Sequence, residues 1–222
     1  MHFQSFTVLT LAALAIAAPV KRQSGPVLAD TTYNDISIAG GVAGNAEAEA
    51  KAVFSALDLA NPENIDPADL DFLGQVNDVA NDAEVEAFNT AIDAATGDEA
   101  DQIQNGKIKN KVLKLMATVI QLGAEQAQGD DTVASKLADE TTKLNNNIAI
   151  DTKNAGQTAI AEPFDGTISG GGSVVASAGN ANSNGTSTAD ATAAADASAT
   201  ATAAAPATAT SKAAKKKASK NN

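Results

Sequence analysis

Apolar residues recur with helical spacing through the middle of the chain and thin out at both ends. "NAEAEAKAVFSALDLA", from Asn45, puts Ala46, Ala50, Val53, Phe54 and Leu57 on one face. Asn45 stands as its N-cap, and the two glutamates in its first turn suit the positive end of a helix dipole. Asn61-Pro62 breaks that pattern. "DPADLDFLGQVNDVAND" restarts it, with Asp66 at the cap, Pro67 at the first helical position and Asp69 three residues after the cap. Its apolar face is wide: Leu70, Phe72, Leu73, Val76 and Val79. A third helix is predicted over 83–95 through Val85, Phe88 and Ile92, stopping at Gly97. "DEADQIQNG" then predicts a short helical turn ended by Asn105-Gly106.

The clearest pattern follows. Ile108, Val112, Leu115, Val119 and Leu122 recur at helical intervals, and Met116 and Ile120 widen the stripe beside them. Lys107, Lys111 and Lys114 project together on one flank. After Gly129-Asp130-Asp131, a glycine stop and an aspartate cap, Val133, Leu137, Leu144, Ile148 and Ala155 repeat the stripe. Two long amphipathic helices with so short a linker predict an antiparallel hairpin. Pairing by reflection sets Leu122 near Leu137, Leu115 near Leu144, and Asp151 against Lys107 or Lys111. The stripe has a partner helix directly downstream and apolar helices upstream, so it predicts a core rather than a membrane-surface helix. An intermolecular coiled coil is the competing arrangement. The fold class expected is all-α, a helical bundle of about five helices with a C-terminal antiparallel helical hairpin, followed by a disordered tail.

The ends differ in kind. "MHFQSFTVLTLAALAIAAPVKR" has an apolar run from Phe6 to Ile16 that is short for a membrane span, with Ala15 and Ala17 as the small residues of a signal cleavage site. Lys21-Arg22 is a dibasic pair of the kind a kexin-like protease cuts, which would leave Gln23 as the new N-terminus. The organisation expected is therefore a signal peptide over 1–17, a short propeptide over 18–22, and an irregular arm over 23–42. In that arm Tyr33, Ile36 and Ile38 would strap onto the helices. A helical bundle over 43–160 and a disordered Ala/Thr/Ser-rich tail over 161–222 complete it. Asn184-Gly185-Thr186 in the tail is an N-glycosylation sequon, and the Ser and Thr beside Ala and Pro suggest O-glycosylation.

Composition narrows the chemistry. Removal of residues 1–22 leaves 13 basic against 27 acidic residues and no Arg, His, Cys or Trp. Without cysteine there are no disulfides, so an exported chain must be stable through packing alone. The missing His and Cys exclude Ser-His-Asp and Cys-His catalysis and the usual transition-metal ligands, and the acidic balance argues against nucleic acid. Residues 23–104 hold 17 acids and the single Lys51, so acidic helices can pack beside the lysine flank of 107–114. Two acidic clusters, Asp66, Asp69, Asp71 and Asp98, Glu99, Asp101, lack the calcium-loop pattern and read as helix capping. Catalytic, cofactor-binding and metal residues are all expected to be none. No membrane partner is expected either.

The segments "YNDISIAGGVAGNAEAEA", "VNDVANDAEVEAFNTAIDAATGDEAD", "GKIKNKVLKLMATVIQLGAEQAQGDD" and "KLADETTKLNNNIAIDTKNAGQTA" together resemble a family of ascomycete small secreted proteins of uncharacterised biochemistry. The resemblance covers about residues 30–160. It implies a fungal extracellular protein, and some related proteins are glycoproteins of the cell wall, including that of infection structures (appressoria). The expected function is a secreted non-enzymatic glycoprotein of the wall or cell surface, with cell-wall polysaccharide or a host component as partner. The alternative is a soluble effector, or a carrier whose apolar ligand would sit among Val53, Phe72, Phe88 and Met116.

Overall fold

The structure, a computed structural model, describes residues 25–178. It is mainly helical, and its elements run β1 (Thr31–Thr32), α1 (Tyr33–Ile36), β2 (Gly41–Val42), α2 (Ala46–Val53), α3 (Pro67–Asp82), α4 (Asn89–Ala94), α5 (Asp98–Ala127), α6 (Ala134–Lys153), β3 (Thr158–Ala159) and β4 (Thr167–Ile168). The strands form two small antiparallel pairs, β1 with β4 and β2 with β3.

α5 is the axis. Its 30 residues span about 45 Å at 1.5 Å per residue, and α2, α3, α4 and α6 all pack against it. The predicted stripe is buried at Ile108, Val112, Leu115, Met116 and Leu122, but so are Lys109, Asn110, Leu113 and Ala117 from other faces. A helix surrounded by neighbours loses its polar side. The expected stop at Asn105-Gly106 does not occur, because α5 begins at Asp98 and runs through it. Gly106 serves close packing instead: a Cβ there would sit 1.8 Å from the Ile160 carbonyl oxygen, so only glycine lets the segment after β3 cross.

The predicted faces of the earlier helices are in the core, with two changes of boundary. α2 ends at Val53, yet Phe54 and Leu57 still turn inward through tight backbone turns. The helix expected over 83–95 is continuous with α3 through a π-helical segment, Ala83–Phe88. The wider turn puts Ala83 and Phe88 inward and rotates Val85, expected in the core, out to solvent. α6 buries only one stripe, around Leu144, Asn147 and Asp151. Asn154, just past its end, donates to Asn105 near the start of α5 at 2.8 Å, so α6 runs back along α5.

The largest departure is at the C-terminal side. Residues 161–178, expected in the disordered tail, are packed: Ile168 in β4 and Ala176 are buried in the main core, and Phe164 meets Tyr33 edge to face at 6.1 Å. Composition misled because the residues that pack are few and the rest are glycines that serve by their lack of a side chain. A Cβ on Gly170 or Gly172 would lie 2.1 Å from the backbone of Leu28 or Val27. The arm of 23–42 also has more structure than expected, in β1, α1 and β2, and Tyr33, Ile36 and Ile38 are buried.

Candidate functional site

Ala15, Ala17, Lys21, Arg22 and Asn184, together with the expected tail beyond 178, lie outside the described residues. Of the acidic clusters, Asp66 caps α3 by accepting from the Ala68 amide at 2.9 Å. Asp98, Glu99 and Asp101 stand in the first turn of α5. Asp69 does something the sequence does not announce. Its carboxylate, fully buried, accepts from the amides of Val27 (3.0 and 3.1 Å) and Leu28 (2.9 Å). Leu28 also pairs with Val174 in a parallel bridge, and the amides of Gly172 and Val174 donate to the carbonyls of Leu28 and Val27. The two ends of the folded unit thus form a latch over α3.

Other charged groups hold segments together. Lys109 is buried and donates to the Gly40 carbonyl at 2.6 Å while pairing with Glu49 at 2.8 Å. The expected pairing of Asp151 with Lys107 or Lys111 does not form. Asp151 instead accepts from the Ala46 amide at 2.9 Å, serving as the N-terminal cap of α2 that Asn45 was expected to supply. Helix dipole and orphan amide favour a carboxylate there over an exposed ion pair. Lys107 donates to Asn89, and Lys111 and Lys114 meet Glu84 at 3.5 and 2.7 Å. Partial burial pushes the Glu84 carboxyl upward, but the hydrogen bond and charge of Lys114, with Lys111 and Lys107, bring it below the ordinary value. The lysine flank does meet the acidic helices.

Between α3, α5 and α6 lies an open cleft of about 250 Å³, lined by Gly74, Asn77, Asp78, Thr118, Gln121, Lys136 and Glu140. At its floor Asn77 Nδ2 donates to Thr118 Oγ1 at 2.7 Å, and that hydroxyl donates to the Lys114 carbonyl at 3.0 Å. Gln121 Nε2 donates to Glu125, and Lys143 pairs with Glu140. One sequence signal pointed here: Thr118 falls three residues after Leu115 and four before Leu122, a polar residue in a core position. Val53, Phe72, Phe88 and Met116, the positions suggested for an apolar ligand, do not line this cleft. They are buried in two separate clusters, Phe88 apart from the other three.

Fold and geometry define a mainly helical domain wound on one long helix, its ends latched together and its one-sided α6 bordering a polar cleft. The chain belongs to the family of the domain of unknown function DUF8454, whose family model matches residues 28–162. No curated protein and no solved structure matches the chain. No helix among the described residues is long and apolar enough to cross a membrane.

Proposed function

We propose that this chain is a secreted, non-enzymatic glycoprotein of a fungal cell wall or cell surface, infection structures included. Its mainly helical unit would be a bundle closed by the α5–α6 hairpin, and the Ser/Thr-rich tail a sugar-bearing spacer. The observation that carries the reading is the anchoring of the arm a few residues after the dibasic pair. The buried Asp69 carboxylate holds the amides of Val27 and Leu28, so a chain cut after Lys21-Arg22 keeps this anchor of the arm. A leader followed by a dibasic pair and then by an anchored segment is the arrangement expected of a processed secretory protein.

The best-engaged charges support a structural role. Asp69, Asp151 and Lys109 are committed to backbone groups, and Glu84 to lysines. The carrier alternative is disfavoured, because its four suggested residues are already packed against protein in two places. The test is fractionation of the producing cells with an antibody to the helical unit, each fraction run before and after deglycosylation. Signal in the washed wall, at a mass that falls on deglycosylation, is the expected result. Signal only in the medium, at the mass of residues 23–222, would overturn it and favour a free effector.

A further inference from the structure

We infer that the cleft between α3, α5 and α6 is a binding site for a neutral sugar, one terminal hexose ring in size. The first argument is hydrogen-bond capacity. Asn77 and Gln121 have each committed one amide N–H, to Thr118 and Glu125, which leaves the other N–H and the carbonyl oxygen of each to meet a ligand. Asp78 adds a carboxylate, and Glu140 keeps one oxygen beyond the bond from Lys143. The Thr118 hydroxyl is spent on Lys114. A cleft that offers both acceptors and donors selects a ligand whose groups do both on one small frame, which is what adjacent hydroxyls of a sugar supply. The Lys136 ammonium, in no ion pair among the described residues, provides a further donor for a ring or hydroxyl oxygen.

Charge and size narrow the class. Asp78 and Glu140 are offset by Lys136 and by the Lys143 ammonium on Glu140, so the cleft has no excess of cation. In a chain of net charge −12 that favours an uncharged ligand over phosphate, sulfate or uronate. The volume, about 250 Å³, falls below the range typical for drug-sized ligands and suits a single ring. No aromatic side chain lines the cleft, so affinity should be millimolar.

Gly74 supplies an independent argument. Glycine in the middle of a helix is unfavourable, and packing does not demand it here: a Cβ would meet only the Gln121 amide at an ordinary 3.7 Å. What glycine does at this position is keep the cleft floor open. The inference stands on the cleft alone and assumes nothing about retention in a wall.

The test is a heteronuclear NMR titration of the full chain with methyl α-mannopyranoside, methyl β-glucopyranoside and glucuronate. Saturable shifts centred on Gly74, Asn77 and Gln121 with a neutral glycoside, and none with glucuronate, are expected. Gly74→Leu should abolish them and Lys136→Ala, at an exposed position, should weaken binding several-fold. Absence of saturable shifts at about 100 mM glycoside, far above a millimolar Kd, would overturn the assignment. So would equal binding of glucuronate, shifts centred elsewhere, or an unchanged Kd in Lys136→Ala should Gly74→Leu fail to fold.

Discussion

Tyr33 is the only tyrosine in the chain and lies 1% exposed between the arm and the helices. Its hydroxyl donates to Asn110 Oδ1 at 2.8 Å, and Asn110 in turn donates to the Ala80 carbonyl at 2.8 Å. Burial pushes the phenol from 10.0 up to about 12, since the phenolate would lose its water and meet no cation. In the unfolded chain the same group ionises at its ordinary value. Between those two values the unfolded state therefore loses a proton that the folded state keeps, and stability falls as pH rises. The contribution is complete below pH 10.0 and exhausted above about 12. At 1.36 kcal/mol per pKa unit the loss is about 3 kcal/mol.

The assay is denaturant unfolding of the wild type and of Tyr33→Phe across that window. Lysines titrate there too, but they do so in both proteins and cancel in the difference. At neutral pH the wild type should be the more stable by about 1–3 kcal/mol, because Phe leaves the buried Asn110 carbonyl unpaired. That advantage should shrink by about 3 kcal/mol as pH rises, and the native protein should show phenolate absorbance only toward pH 12. A native protein whose phenol titrates at its ordinary value, or a difference that stays constant with pH, would refute the reasoning.

Three further perturbations address the latch and the helices. Asp69→Ala should cost about 3 kcal/mol in urea unfolding by stranding the amides of Val27 and Leu28, and Asp69→Asn, which keeps one acceptor oxygen, clearly less. Gly172→Ala, whose Cβ would fall 2.1 Å from the Val27 carbonyl carbon, should cost about 2 kcal/mol, whereas Gly123→Ala in α5, with nothing within 4 Å, should gain up to about 1 kcal/mol. A chain ended after Glu162, where the family match stops, should melt well below one ended after Ala178, since it loses Phe164, Ile168 and Ala176 from buried contacts. Equal melting temperatures would place those residues outside the stabilising core.

Periodicity made the helices legible where one face carries the burial. The faces of α2 and α3, the cap at Asp66 and the Gly129 stop before α6 are all readable from spacing and local turn chemistry. It failed wherever a distant segment sets local structure. Asn105-Gly106 has the local signature of a turn, but Ile160 crosses there and makes glycine a packing residue. The π-helical segment adds a residue to a turn, so a strict helical wheel puts Val85 inside when it is outside. "SGGGS" reads as linker because its contribution is the absence of side chains, visible only once Val27 and Leu28 lie against it. Within the cleft only Thr118 broke a pattern; Lys136 and Glu140 come from a helix whose polar residues are mostly solvent-facing.

Five buried polar side chains share one geometry, and it bears on how a chain without cysteine closes. Asp69 holds the amides of residues 27 and 28, and Asp151 the amide of residue 46. Lys109 holds the carbonyls of residues 40 and 42, Asn105 that of residue 158, and Asn110 that of residue 80. Each joins a helix to backbone at least 30 positions away, and most of those partners lie in the arm or the C-terminal segment. A disulfide would stabilise mainly by restricting the unfolded chain, whereas these contacts act only in the folded state. Losing any one strands a buried backbone group at a cost of about 1–3 kcal/mol, so the arm has no cheap way to detach while the helices stay packed. Hydrogen exchange should therefore protect the amides of Val27, Leu28 and Ala46 to the level of Val112 and Leu113 in α5. Exchange of the arm amides far ahead of α5 would mean that the arm is a separate, weaker unit and that these side chains secure it only locally.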